Sequence, residues 1–385
     1  ILFISLAILI IIINIQAGVV KLTCKESIEC PLNHACHNKI CRLLSELKQE
    51  HQAGEKELPA VQPNSRSINL KEKHKHECIT DLINEKLIQE ERSRSIMHRR
   101  NGRFFSGELK KYNDYRDDIP DCGNTICDSP IVRNKFDKKR NKKYRITFRV
   151  NARNNIGNDW QLLHQIAQEA IYELNSAFYI IGFSFEYTIK IYRYQRKKTI
   201  LVSSFDECRA VRNLGNYDCL YVSAIKEIIP DYKKGINIFI EDRLAQDTTK
   251  GWGYLPATPF HSIIAMRHDA LRRGQTTIVH QIGHLFGLKD VFSYVDNCNH
   301  QCHEREGDDG NRKGDLVSDT EPIPFNHGCA PTGNEQVCGK NIKFGVNTYR
   351  NYMSFAHPDC KKEYGHFTDE QLKRMVCYSY LNPNF

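Results

Sequence analysis

Two histidines four residues apart, His280 and His284, stand in the run Thr276–Asp290, TTIVHQIGHLFGLKD. On a helix, positions i and i+4 share a face, so both imidazoles can hold one zinc ion. Thr276 or Thr277 is suited to cap such a helix, because a side-chain oxygen can accept from the first free backbone N–H groups. Gly287 is placed to end it, since glycine adopts backbone angles that other residues resist. Asp290 follows three residues later, where the turned chain can return a carboxylate as third ligand. The pattern H-Q-x-x-H-x-x-G-x-x-D thus points to a metal site made of His280, His284 and Asp290.

A helix with this task needs a scaffold, and the residues from Tyr144 onward have the pattern of an α/β domain. Ile146, Phe148 and Val150 alternate as in a half-buried strand. Asp159–Phe178 reads as a helix, with Leu163, Ile166, Ala167, Ala170, Ile171 and Leu174 on one face and Asn158 or Asp159 as cap. Phe183, Phe185, Tyr187, Ile189 and Ile191 alternate again, Ile236–Glu241 follows Gly235 as a further strand, and His261–Met266 fits an edge strand. This order predicts a twisted mixed sheet with helices packed on it.

The rest of the chain is organised differently. Residues 1–13 are apolar except for Ser5, and Ala17–Gly18 follow; thirteen residues suit a signal-peptide core better than a bilayer span of about 20. Cys24, Cys30, Cys36 and Cys41 lie close together with little apolar material, as in a small two-disulfide module whose pairing stays open among three choices. A polar, charged stretch comes next, with a linker at Gly54–Ser67 and a candidate helix at Ile79–Ile96. Lys138, Lys139, Arg140, Lys142 and Lys143 form a basic cluster that reads either as a solvated loop or as a cleavage site for a propeptide. The expected divisions are 1–18, 19–45, 46–143 and 144–385: signal peptide, cysteine-rich module, propeptide-like region and peptidase-like domain. Fifteen cysteines in 385 residues favour an oxidising, secreted setting. The net charge of +9 is spread along most of the chain and gives no basis for nucleic-acid binding.

The run around His280 resembles the metzincin zinc-peptidase motif H-E-x-x-H-x-x-G-x-x-H. More specifically, residues from about Tyr144 to the end resemble the pappalysin (ulilysin-like) metzincins. NIFIED leads to GWGYLPATPF, then to TTIVHQIGHLFGL, then to an acidic loop GDLVSDTEPI at Gly314–Ile323. NYMSF at Asn351–Phe355 matches the family's Met-turn, and FTDEQLKRM at Phe367–Met375 its last helix, where Thr368 and Gln371 read as a capping box. The resemblance implies a mixed α/β (α+β) metzincin-like domain with an active-site helix, a zinc cofactor and a peptide or protein substrate or partner. It also implies disulfides Cys302–Cys338 and Cys329–Cys360. Cys78 stands where the family keeps a latency cysteine, with an ordinary disulfide partner or a free thiol as the other readings. Asp315 and Asp319 are candidates for a calcium site, or are an acidic surface loop.

Three positions depart from the family. Gln281 replaces the glutamate that takes a proton from the zinc-bound water, and an amide cannot accept and carry a proton near neutral pH. Asp290 replaces the third histidine; carboxylate is a legitimate ligand but adds negative charge to the zinc. Phe355 stands where the family usually has a tyrosine, keeping the packing and losing a hydrogen-bond donor. Three functions follow as expectations. The first is a secreted zinc-binding homologue with impaired or lost hydrolysis that acts by binding a peptide or protein. The others are an active secreted zinc endopeptidase and a non-catalytic toxin-like or structural protein. The oligomeric state is left open.

Overall fold

The expected strand at Ile146–Val150 lies inside the observed sheet, with a parallel partner on each side. In the computed structural model, which describes residues 34–37, 40–43 and most of 118–381, it runs Lys142–Asn151 (β1) and is buried from Ile146 onward. Helix α1 (Trp160–Phe178) follows, with Asp159 accepting a hydrogen bond from Leu162 N as its cap. Its buried face holds Leu163, Ile166, Ala167, Ala170 and Leu174. β2 (Phe183–Tyr192) then pairs parallel to β1 along its whole length. This is a β–α–β unit whose helix lies on one face of the sheet.

Two elements come next that the alternation pattern did not mark. β3 (Lys198–Val202) and β4 (Tyr217–Tyr221) pair parallel in a separate two-stranded sheet, joined through α2 (Phe205–Arg212) and stapled by Cys208–Cys219. The main sheet continues with β5 (Ile236–Glu241), β6 (Gly251–Gly253) and β7 (Ile263–Arg267) in the order β2–β1–β5–β7–β6. All its neighbours are parallel except β7 and β6, so the sheet is mixed as expected. One expectation needs correction: His261–Met266 is not an edge strand. Its core, β7, lies between β5 and the short antiparallel β6, which takes the edge. A three-residue strand with two glycines carries no usable alternation, so the sequence hid it.

The metal-type helix is α3 (Thr277–Leu285) and the last helix is α4 (Asp369–Leu381). α1, α3 and the start of α4 share one core with the sheet, in which Phe178, Phe183, Phe185, Phe286 and Tyr144 pack edge-on, tilted or stacked around one another. Thr368 and Gln371 make the expected capping box: Gln371 Oε1 accepts from Thr368 N, and Thr368 Oγ1 from Gln371 N.

The packing reaches upstream of Tyr144. Cys122 is bonded to Cys302 and Cys127 to Cys377, closing sequence separations of 180 and 250 residues. The pairing Cys302–Cys338 is therefore overturned, because the segment carrying Cys122 packs on the acidic loop against Cys302 and Leu316. Cys329–Cys360 is present as expected. Two of the five residues of the basic cluster are built into the fold: Lys143 Nζ lies 2.6 Å from Glu186, and Arg140 stacks 3.5 Å above the Tyr380 ring.

The chain divides into two units, residues 1–68 and 69–385. The first contains a hairpin of His34–His37 and Ile40–Leu43, with Cys36 opposite Cys41. The apolar residues 1–13, Cys24, Cys30, Cys78 and the candidate helix at 79–96 lie outside the described residues. Among the described residues no helix is long and apolar enough to cross a membrane.

The buried carboxylates Glu304, before the acidic loop, and Asp315, on it, generate a pH-dependence. Burial and then the charges of Asp315, Asp308 and Asp309 push Glu304 up to about 8. Burial pushes Asp315 up to about 7. Both folded values exceed those of the unfolded chain, so the native state holds these protons longer. Their contribution to stability is complete in acid and is lost as pH rises through the folded values. The melting temperature is expected to fall between pH 5 and 8, and Glu304→Gln is expected to flatten that fall. A Glu304→Gln profile parallel to that of the parent would contradict the assignment.

Candidate metal centre

α3 ends as its glycine requires. Gly287 has φ +88°, its N–H bonds to His284 O at 2.8 Å, and Leu288 N bonds to Gly283 O at 3.0 Å. This pair of bonds is the Schellman termination, and it reverses the chain after the helix. Thr276 takes the N-cap position without a side-chain bond.

The reversal brings Asp290 back beside the histidines. Asp290 Oδ1 lies 3.0 Å from His280 Nε2 and 3.6 Å from His284 Nε2. The two Nε2 atoms are 3.0 Å apart. His280, His284 and Asp290 are all buried, and one donor atom from each falls within 4.8 Å of the others. This is the group among the described residues that could hold a metal ion.

The orientation of the rings is set from behind. His280 Nδ1 is 2.9 Å from Tyr352 O, and His284 Nδ1 is 2.9 Å from Leu288 O. A carbonyl only accepts, so each Nδ1 carries the proton, and in the neutral form of each ring the Nε2 lone pair is the one turned inward. Two nitrogen lone pairs and a carboxylate oxygen then converge on one point. Such a donor set suits a cation of the zinc type, and the residues present fit that ion.

The Met-turn supports the same helix. Met353 is fully buried, and a Cβ on Gly283 would stand 2.6 Å from its sulfur, so only glycine lets the turn come this close. Asn351 Oδ1 accepts from Met353 N, its Nδ2 donates to Gln371 Oε1, and Val291 N donates to Met353 O. Gln281 is buried beside His280, and its amide reaches β6: a Cβ on Gly253 would lie 3.2 Å from Gln281 Oε1. Phe355 is half-buried, edge-on to the His280 ring at 6.4 Å and to Phe292 at 4.6 Å.

Asp315 and Asp319 belong to no metal-holding group among the described residues. Both Asp315 oxygens accept from the Thr320 hydroxyl, and one also from Val317 N. Asp319 accepts from Glu370 N at the start of α4. These carboxylates organise the loop, and calcium finds no support.

Curated relatives match part of this chain. Pappalysin-1 of Homo sapiens is 33% identical over 169 residues, which are 41% of this chain and 10% of that protein. The chain is pappalysin-like. Pappalysin-1 of Mus musculus is 32% identical over 177 residues, with the same coverage of 41% and 10%. An extracellular metalloprotease of Arthroderma gypseum is 35% identical over 104 residues, or 26% of this chain and 28% of that one. The pappalysin-like chain thus matches about a tenth of the length of pappalysin-1. No family model matches it. Among solved structures, mature mirolysin of Tannerella forsythia in complex with a cleaved peptide aligns at 15% identity and TM-score 0.40, covering 62% of this chain and 91% of that one. A promirolysin mutant aligns at 14% identity and TM-score 0.44, covering 80% and 96%.

Three contributors to the centre had no signal in the sequence: the carbonyls of Tyr352 and Leu288, and Phe292 beneath Phe355. A carbonyl is common to every residue type, so only its placement reveals it. The glycine did have a signal, and it gives a test. In Gly287→Ala the new Cβ would need a left-handed backbone and would clash with the edge of the Tyr378 ring. A loss of about 2 kcal/mol or more is expected. Thermal or denaturant unfolding checks it, and an unchanged midpoint would refute it.

Proposed function

We propose that this pappalysin-like chain is a secreted zinc-binding homologue of the metallopeptidases whose peptide hydrolysis is impaired or lost. In this reading it acts by binding a peptide or a protein partner. His280, His284 and Asp290 would be the zinc ligands, and zinc, when bound, would supply Lewis-acid polarisation of a water or a carbonyl. The observation that carries the reading is Gln281. It is buried on the metal-type helix next to His280, at the place where the metzincin motif that this run resembles has the proton-carrying glutamate. An amide there holds a hydrogen bond but moves no proton. Phe355 reinforces the point: its ring packs against His280 and Phe292, and it has no hydroxyl to offer a developing oxyanion.

Four disulfides with both partners among the described residues support an oxidising compartment, and an extracellular metalloprotease among the relatives agrees with secretion. The signal peptide over 1–18, the cysteine-rich module over 19–45 and a propeptide-like region from 46 onward belong to the same proposal, while Cys122 and Cys127 are bonded into the domain itself. A second reading is an active endopeptidase. It has one observation in its favour: the centre does contain a carboxylate, Asp290, next to His280 Nε2. That group would serve as base only if it did not ligate.

The deciding experiment measures bound zinc in the full chain by elemental analysis and cleavage of a mixed peptide library with and without a chelator. About one zinc per chain and no chelator-sensitive cleavage is the expected result. Chelator-sensitive cleavage by the parent chain would overturn the pseudopeptidase reading. Gln281→Glu is expected to raise cleavage by roughly 10²-fold or more, the usual worth of general acid–base help. If that variant stays silent and Gln281→Glu with Phe355→Tyr cleaves, the missing hydroxyl is the second defect.

A further inference from the structure

We propose that the strap at residues 120–136, upstream of the sheet, is a working part of the metal centre. It positions Asp290 through Lys289 and through Arg374 of α4. The proposal rests on the reading of His280, His284 and Asp290 as zinc ligands.

The third ligand sits on a four-residue return, Gly287, Leu288, Lys289 and Asp290. The return is held from within by Gly287 N and Leu288 N on the end of α3, and by Leu288 O on His284 Nδ1. Two further bonds come from outside. Lys289 Nζ donates to Cys122 O at 3.1 Å, and Arg374 Nε donates to Gly287 O at 2.7 Å. Lys289 is buried, and a buried ammonium is rare unless its bonds are met. Arg374 is itself aimed from the strap: its Nη2 lies 2.5 Å from Asp128 Oδ1, and both side chains are buried. Asp128 also accepts from Thr125 N and from the Tyr378 hydroxyl. So one end of the return is bonded directly to the strap and the other through a single arginine.

The strap cannot drift away from these contacts. Cys122–Cys302 fixes it to the segment before the acidic loop, and Cys127–Cys377 fixes it to α4. Arg133 adds bonds to Leu316 O and Glu370, which place the acidic loop against α4. Removing any of these groups leaves the three ligands in the chain. What changes is the freedom of the return that carries Asp290. A ligand that must be ordered when the ion arrives binds it more weakly, and loss of one supporting partner typically weakens metal affinity 10–100-fold.

The test uses the full chain with the variants Lys289→Met, Lys289→Arg and Asp128→Asn. Arg149→Met is the control: a buried cation on β1 whose partners are Asn237 and Asp231. Zinc affinity is measured by competition with a chelator. The absorption bands of the cobalt-substituted protein report ligand geometry, and melting of the chelated protein reports stability. Lys289→Met and Asp128→Asn are expected to weaken zinc by about 10–100-fold and to alter the cobalt bands. Lys289→Arg, which keeps a donor, is expected to recover part of the loss. Arg149→Met is expected to lower the melting temperature and leave zinc affinity alone. Parent-like affinity in both Lys289→Met and Asp128→Asn would overturn the proposal, as would an equal loss in Arg149→Met. A parent chain that takes up no zinc would overturn the ligand assignment as well, so the two failures are distinguishable.

Discussion

The centre depends on two hydrogen bonds that point away from it. His280 Nδ1 bonds to Tyr352 O and His284 Nδ1 to Leu288 O, and these bonds decide which ring nitrogen is left to face a metal. A histidine pair at i, i+4 without them would share a face but could present either tautomer and rotate about χ2. With them, both Nε2 atoms converge to 3.0 Å. Each carbonyl belongs to a segment the helix does not control. One lies in the Met-turn and the other on the return after Gly287. The order of the site is therefore the order of those two segments.

Each segment is secured by a different part of the fold. The Met-turn is held by Asn351, which bonds to Gln371, and Gln371 is also half of the capping box that starts α4. The return is held by Arg374, one helical turn further along the same helix. α4 thus braces both carbonyls at once. Its own placement depends on a buried Asp128–Arg374 pair and on Cys127–Cys377, both made with residues that precede the sheet. Breaking a buried ion pair by removing one partner costs about 3–5 kcal/mol, so this joint is not easily replaced.

The three departures at Gln281, Asp290 and Phe355 share one physical character. Each changes proton or charge chemistry, and at Gln281 and Phe355 volume and packing stay nearly intact. Gln281 is the same shape as glutamate and still fits against Gly253 of β6. Phe355 keeps an aromatic ring against Phe292. Asp290 still reaches the histidines because the Schellman turn brings the backbone to them. A fold can retain such positions under the demands of packing alone.

Much of this was legible in the sequence, and the reason is periodicity. The helix at 160–178 and the strands at 142–151, 183–192 and 236–241 bury one face or two, so burial wrote itself into the spacing of apolar residues. The histidine spacing, Gly287 and the capping box were legible because each is a local rule, satisfied within a few residues. What the tertiary structure decided is non-local. The partner of Cys302 lies 180 residues away, the β6 edge is too short to have a pattern, and the acceptors of both Nδ1 protons are backbone atoms. Asp128, Lys289 and Arg374 carry no spacing that links them, because their meeting is made by the packing of three separate segments. Sequence by itself determined which residues could hold a metal; only the folded chain decided how those residues are aimed.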